Sequence, residues 1–299
     1  MAMFPLEAHT VPPGTPRERL SDYAPRVFRA IPSRKGIKKA IKAGAIWVDG
    51  RPGQTGDWVL PGQRIELMPS NLKPPKPLEF PLKVHFEDDH LAVIDKPAGL
   101  PTSGNQYRTV ANALQFNLSP SAAPDALPWP RPVHRLDALT SGLLLVAKSH
   151  RAAIALGRQF EKKAVQKTYL AIVAGKAPPA GIVQEPIDGQ EAHTEFRLLR
   201  QVRSLKVEWI SLLELCPRTG RTHQLRRHLA GIGCPILGDV LYTKNQPLLK
   251  GKGLFLSAVG LEFAHPATGQ PARFRIPPPG KFESFLQRSE QRWQQFNDG

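Results

Sequence analysis

The sequence predicts an α+β protein in two parts, a small basic unit followed by a larger domain built around a sheet. Three observations predict it. The chain has 299 residues, enough for two domains at about 100–200 residues each. Short apolar runs broken by Asp-Gly and Pro-Gly turns are mixed with segments of helical period, the texture of hairpins and helices together. Residues 69–82, PSNLKPPKPLEFPL, hold five prolines and no period, which marks a semi-rigid spacer.

Taken in order, residues 1–16 read as an N-terminal extension. The next block, 17–51, holds ten Lys or Arg against three acids, a net +7 out of the chain's +16. Within it Ser33 is placed to cap a helix, Ile37, Ala40 and Ile41 recur on one face, and Gly44 fits the stop. Arg34, Lys35, Lys38, Lys39 and Lys42 fall mostly on the opposite face, which suits phosphates. Upstream, Pro25 and Pro32 interrupt what would otherwise be a first helix. Downstream, Ala45–Val48, Asp49-Gly50, Trp58–Leu60, Pro61-Gly62 and Arg64–Leu67 read as small strands and turns. The stretch SRKGIKKAIKAGAIWVDGRPGQTGDWVLPGQRIEL resembles the S4 RNA-binding domain, a basic helix followed by a G-x-V-x-V-[ND]-G hairpin and a P-G-[DQ]-x-I strand. The expected divisions are an S4-like domain at 17–68, a proline-rich linker at 69–81, a main domain at 82–280 and a C-terminal tail at 281–299.

In the main domain, Val84–Phe86 and Leu91–Ile94 read as strands around an acidic turn. Leu143–Ala147 and Leu170–Val173 read as buried strands. Ser149 is placed to cap a helix carrying Ala153, Leu156 and Phe160, and Lys206–Leu215 alternates as a strand.

Several functions are excluded by what these segments lack. No apolar run approaches the ~20 residues of a membrane helix, and the first ten residues have no secretory character. Cys216 and Cys234 form no CxxC, and two cysteines make no disulfide framework. A cytoplasmic protein is expected. His223 and His228 stand five apart with no accompanying carboxylate cluster, so no metal site is expected. There is no P-loop, no G-x-G-x-x-G after a strand and no G-x-S-x-G. The expectation is an enzyme without metal, nucleotide or other small-molecule cofactor.

The segment left to carry chemistry is His134-Arg135-Leu136-Asp137-Ala138-Leu139-Thr140-Ser141-Gly142, on a loop between a proline-rich approach and a buried strand. A carboxylate placed there beside an arginine can do chemistry, though an isolated Arg-x-Asp is better explained by a turn cap. The match is not isolated. HRLDALTSGLLLVAK resembles the HRLD-x-x-TSG motif of the RluA-type pseudouridine synthases. DKPAGLP, KTYLAIV and RTGRTHQLRRH…GCPILGD resemble three further motifs of that family, in the right order, over residues 82–280. Thr102-Ser103-Gly104, Ser257 and Gln190 depart from the usual family residues. The resemblance implies a pseudouridine synthase fold with a central, mainly antiparallel sheet.

It also implies Asp137 as the catalytic residue, Tyr169 as the active-site tyrosine and Arg135 as the residue that fills the gap left by a flipped uridine. Asp137 can serve as nucleophile or as base; attack at C1′, attack on the ring and a glycal route all stay open. Arg226 is chosen as the cation paired with Asp137, Arg221 is the second candidate, and His134 supports the loop. The implied partner is structured RNA, ribosomal RNA favoured and transfer RNA open, with the chain acting as a monomer. The competing reading is a non-catalytic RNA-binding or ribosome-assembly factor of the same fold.

Overall fold

The computed structural model describes residues 5, 7–28, 30, 31, 33–68, 75–243 and 251–298. The chain divides into two compact units, Met1–Pro75 and Lys76–Gly299.

In the first unit, β1 (Glu7–Thr10) is followed by β2 (Glu18–Arg19), α1 (Leu20–Val27) and α2 (Arg34–Lys42). Then come β3 (Ile46–Val48), β4 (Arg51–Pro52), β5 (Trp58–Val59) and β6 (Arg64–Leu67). The sheet order is β1-β6-β3-β4, with β2 and β5 forming a separate pair. Segment 1–16, expected as an extension, therefore contributes an edge strand, Glu7–Thr10 pairing antiparallel with Arg64–Leu67. Pro25 lies inside α1. It stands in the second turn, sixth of eight residues, where its missing N–H forgoes one intrahelical bond, to the Ser21 carbonyl, and the helix ends two residues later at Val27. Pro32 lies outside the described residues. Helix α2 begins as its sequence dictates, with the Ser33 hydroxyl accepting from the Gly36 N–H at 3.1 Å. Its Ile37, Ala40 and Ile41 join Leu20, Ala24 and Phe28 of the α1 region and Ile46, Val48 and Ile65 of the strands in one core. Lys35, Lys38, Lys39 and Lys42 are exposed, whereas Arg34 is tied to Asp22.

The second unit runs β7 (Lys83–Glu87), β8 (Leu91–Lys96), α3 (Val110–Asn117), β9 (Ala126–Pro132), β10 (Ser141–Ser149) and α4 (His150–Glu161). It continues with β11 (Gln166–Ala174), β12 (Ala180–Val183), β13 (Thr194–Ser204), β14 (Glu208–Pro217) and α5 (Gln224–Gly231). It closes with β15 (Leu256–Ala264), β16 (Pro271–Arg275) and α6 (Gly280–Asn297). One ten-stranded sheet has the order β12-β13-β14-β11-β15-β10-β8-β7, with β16 on β15 and β9 on β10. Among the described residues β10 and β15 pair in parallel and the remaining pairs are antiparallel. Both faces of the central strands are covered, which is why Leu143–Ala147 is apolar without interruption. Leu144 and Val146 face a core with α3, α5 and α6; Leu143 and Leu145 face a second with Leu156 of α4. Gly142 has φ +112° where β10 meets β15, and a Cβ there would collide with the Ala258 backbone, so only glycine fits.

Two expected boundaries differ from the fold. Residues 69–74 of the expected linker lie outside the described residues, and its remainder is packed rather than free. Leu78 and Leu82 are buried, and Asn117 of α3 donates to the Phe80 carbonyl and accepts from Leu82 N–H. The prolines alternate with apolar side chains, and it is these that anchor the segment. The expected tail, 281–299, is mostly helix: α6 buries Phe282 and Leu286 in the main core and holds Arg200 through Glu283 and Glu290.

Candidate active site

Asp137 lies in the loop between β9 and β10, and each neighbour in that loop is fixed by a residue distant in sequence. The Thr102 hydroxyl donates to the Leu136 carbonyl (2.9 Å) and accepts from the Leu136 N–H (3.1 Å). The departure at Thr102 is thus a clamp on the residue before Asp137. On the other side, the Ala138 carbonyl accepts from Gly99 N–H (2.7 Å) and from the Lys96 ammonium (3.0 Å). Lys96 is fully buried, and its ammonium also donates to the carbonyls of Pro97 and Leu100. Burial pulls Lys96 down to about 8, with the charges of Asp137 and Asp95 opposing that fall. Lys96→Met is expected to cost about 2–3 kcal/mol in a denaturant melt, because the Pro97 and Leu100 carbonyls lose the ammonium donor and the Ala138 carbonyl keeps only the Gly99 N–H. An unchanged midpoint would reject this role.

A cleft of about 450 Å³ opens on Asp137. His134, Arg135, Tyr169, Arg221, His223 and Arg226 also line it. His134 stacks on Phe160 at 4.8 Å and its Nε2 accepts from Leu145 N–H at 3.0 Å. Burial, and secondarily the charge of Lys167, pushes its pKa down to about 3, so it stays neutral and acts as a strut. Arg135 is exposed and has no carboxylate partner among the described residues.

Tyr169 is buried at a bulge between Thr168 and Tyr169 on the β15 side of β11, which re-aims its side chain into the cleft. Burial first, and the negative charge of Asp137 second, hold its phenol protonated well above the ordinary tyrosine range. Such a phenol is a packing face and a hydrogen-bond donor; it takes up a proton only by relaying its own.

The expected pairing of Asp137 with an arginine is not what the fold makes. Arg226, 3% exposed in the first turn of α5, forks onto Asp239, Nε to Oδ2 at 2.6 Å and Nη2 to Oδ1 at 2.8 Å. Asp239 is fully buried and bidentate geometry favours that partner. Arg226 reaches Asp137 only through its charge. Arg221 is not the partner either: its Nε donates to the Glu191 carbonyl at 2.9 Å.

Beside the Asp137 carboxylate stands a residue that the sequence did not suggest for this place, His223, considered there only as a metal ligand. Its Nε2 stands 3.9 Å from Asp137 Oδ2. The rest of the THQLRRH stretch is scaffold. Gln224 accepts from the Thr219 hydroxyl and the Arg221 N–H and donates to the His193 carbonyl and the Thr194 hydroxyl. His228 lies between Thr194 and the Glu185 carbonyl. Of the other departures, Ser257 is buried against the Ser141 hydroxyl at 3.1 Å, and Gln190 is exposed in a tight turn with Ile187. Among the described residues no group of three or more His, Cys, Asp or Glu is placed to hold a metal ion, and no helix is long and apolar enough to cross a membrane.

The arrangement therefore sets the Asp137 carboxylate, the firmly protonated Tyr169 phenol and the Arg135 guanidinium around a nucleotide-sized cleft. A family model described as RNA pseudouridylate synthase matches residues 90–231, the stretch that builds these walls. A "Ribosomal large subunit pseudouridine synthase D" of Xanthomonas campestris pv. campestris is 36% identical, the match covering 85% of this chain and 84% of that protein. The chain belongs to the RNA pseudouridylate synthase family. An "Uncharacterized RNA pseudouridine synthase" of Aquifex aeolicus is 33% identical, covering 89% of this chain and 92% of that one. Among solved structures, "Human RNA Pseudouridylate Synthase Domain Containing 4" superposes with a TM-score of 0.57 at 28% identity, covering 69% of this chain and 92% of that one. The synthase is thus an isomerase acting on uridine in RNA, which favours a catalytic chain over a non-catalytic factor of the same fold.

Proposed function

We propose that this synthase modifies ribosomal RNA of the large subunit, with Asp137 as the catalytic carboxylate. The observation that carries the site assignment is the loop itself: Asp137 is clamped on both sides by Thr102, Gly99 and Lys96, yet its oxygens are left to the cleft. Named relatives in Xanthomonas campestris pv. campestris and Nitrosomonas europaea, both ribosomal large subunit pseudouridine synthases, support the choice of RNA. The reaction breaks the N1–C1′ bond, rotates the uracil and joins C5 to C1′; the C5 proton leaves and N1 gains one. Asp137 acts at the sugar or the ring, and the Tyr169 ring packs on the base. Extracting a stacked uridine costs a few kcal/mol, and the exposed Arg135 guanidinium is suited to stack in its place. Mapping pseudouridines by chemical labelling in cells with and without the gene tests the substrate. Loss of a modified position in large-subunit RNA supports the reading, and loss only in transfer RNA rejects it.

The first unit serves as the S4-like RNA-binding domain in this reading. Its α2 carries Lys35, Lys38, Lys39 and Lys42 exposed along one helix. Replacing all four by Gln should weaken RNA binding and lower the salt slope, log Kd against log salt, by about 0.7–0.9 for each phosphate no longer neutralised. An unchanged slope in a salt titration would remove α2 from the RNA interface.

A further inference from the structure

We propose that His223 is a positioning residue for Asp137, with its tautomer set by the Tyr242 hydroxyl. The inference rests on Asp137 being the working carboxylate. His223 has φ 56° and ψ 24°, a left-handed conformation that a side chain with a Cβ adopts at a cost. It stands at the N-cap of α5 but makes no side-chain capping bond. Its ring instead faces the cleft, with Tyr242 on one side and Asp137 on the other. Nδ1 and the Tyr242 hydroxyl are 2.9 Å apart, and the two rings meet edge to face at 79°. Nε2 faces Asp137 Oδ2 at 3.9 Å.

The tautomer is set from both sides. The Tyr242 O–H donates to the Nδ1 lone pair, and a lone pair on Nε2 would be repelled by the Asp137 carboxylate, so Nε2 carries the proton. Tyr242 is held in turn by the buried ion pair. Its N–H reaches Asp239 Oδ1 at 3.3 Å, and its ring lies 5.1 Å from the Arg226 guanidinium carbon. Arg226, which does not bond Asp137, thus acts on it through Asp239, Tyr242 and His223. A donor on one oxygen of Asp137 aims the other at the nucleotide. At 3.9 Å the two groups are an ion-pair distance apart and not hydrogen-bonded; the proposed role requires the contact to shorten when RNA fills the cleft.

The test separates this role from a shaping of the turn. Asn tolerates the left-handed region better than Gln, so His223→Asn should melt at or above His223→Gln. Only Gln places an amide N–H where Nε2 stood. In single-turnover assays on an RNA transcript, His223→Gln should stay within about threefold of wild type. His223→Asn should slow about 10–100-fold, with RNA dissociation constants unchanged. Tyr242→Phe should slow the wild type and add nothing to His223→Gln, since an amide has no tautomer to set. The proposal is overturned if the Asn variant matches wild type, if rates follow melting temperature, or if Tyr242→Phe costs the same in both backgrounds. Asp137→Asn, run alongside, separates the two failures. If it stays active, the assignment of Asp137 falls and takes this role with it. If it is inactive while His223→Asn keeps full rate, only the positioning role falls.

Discussion

Asp137→Asn should abolish pseudouridine formation, by at least about 10⁴-fold, while the protein folds and binds RNA as before. The substitution keeps shape and removes only charge and basicity. Folding should survive because the loop is held through the backbone of Leu136 and Ala138, by Thr102, Gly99 and Lys96, and not through the Asp137 carboxylate. Binding should hold or tighten slightly, since a negative charge is removed from a surface that meets phosphates. Tritium release from RNA labelled at uracil C5 reports turnover, and filter binding reports affinity. Turnover within about tenfold of wild type would remove Asp137 from the chemistry, and a parallel collapse of melting temperature would make it structural.

The second large effect is on stability. Arg226→Met should destabilise the protein by about 3–5 kcal/mol, because Asp239 would remain buried with no counter-charge. Arg226→Met combined with Asp239→Leu should recover most of that loss, since neither charge is then stranded. The pH dependence carries the same signature. Burial works to raise the Asp239 pKa, but the Arg226 hydrogen bonds and charge, with the N–H groups of Leu241 and Tyr242, bring it below the ordinary value. A depressed folded-state pKa means the stabilisation is complete above the unfolded value of about 4 and is lost as pH falls through the folded one. In Arg226→Met burial is opposed only by the Leu241 and Tyr242 N–H groups, the folded pKa rises above the ordinary value, and stability should instead decline as pH increases above about 4. Denaturant melts from about pH 3 to about pH 8 read both slopes. Equal loss in the single and double variants would show that the pair contributes through packing and not charge.

The legible features of this protein are those made within a few residues. Ser33 and Ser149 cap their helices through N–H groups three residues on, at Gly36 and Ala152. The unbroken apolar run at Leu143–Ala147 announces a strand buried on both faces. The placement of Asp137 on a loop beside that strand was legible for the same reason, as was the family itself from four ordered motifs. The N-terminal strand and the C-terminal helix were not, because Glu7–Thr10 is a strand through its pairing with β6, and α6 shows its buried face only against the core.

What the tertiary structure alone decided is which charges meet. Arg226 could have answered Asp137 or Asp239; both are acids within reach of a cleft arginine, and nothing in local spacing ranks them. The fork geometry of a fully buried Asp239 takes the guanidinium Nε and Nη2 and leaves Asp137 to Lys96 and His223. Lys96 meets Ala138 across 42 positions of chain, and Thr102 meets Leu136 across 34. Those separations are closed by sheet pairing and loop packing, which no single-sequence period encodes. Sequence by itself determined the chemistry available, one carboxylate on a loop in an RNA-modifying family. Sheet pairing and loop packing determined how that carboxylate is held, because hydrogen bonds and burial act between groups that only the folded chain brings within about 3 Å.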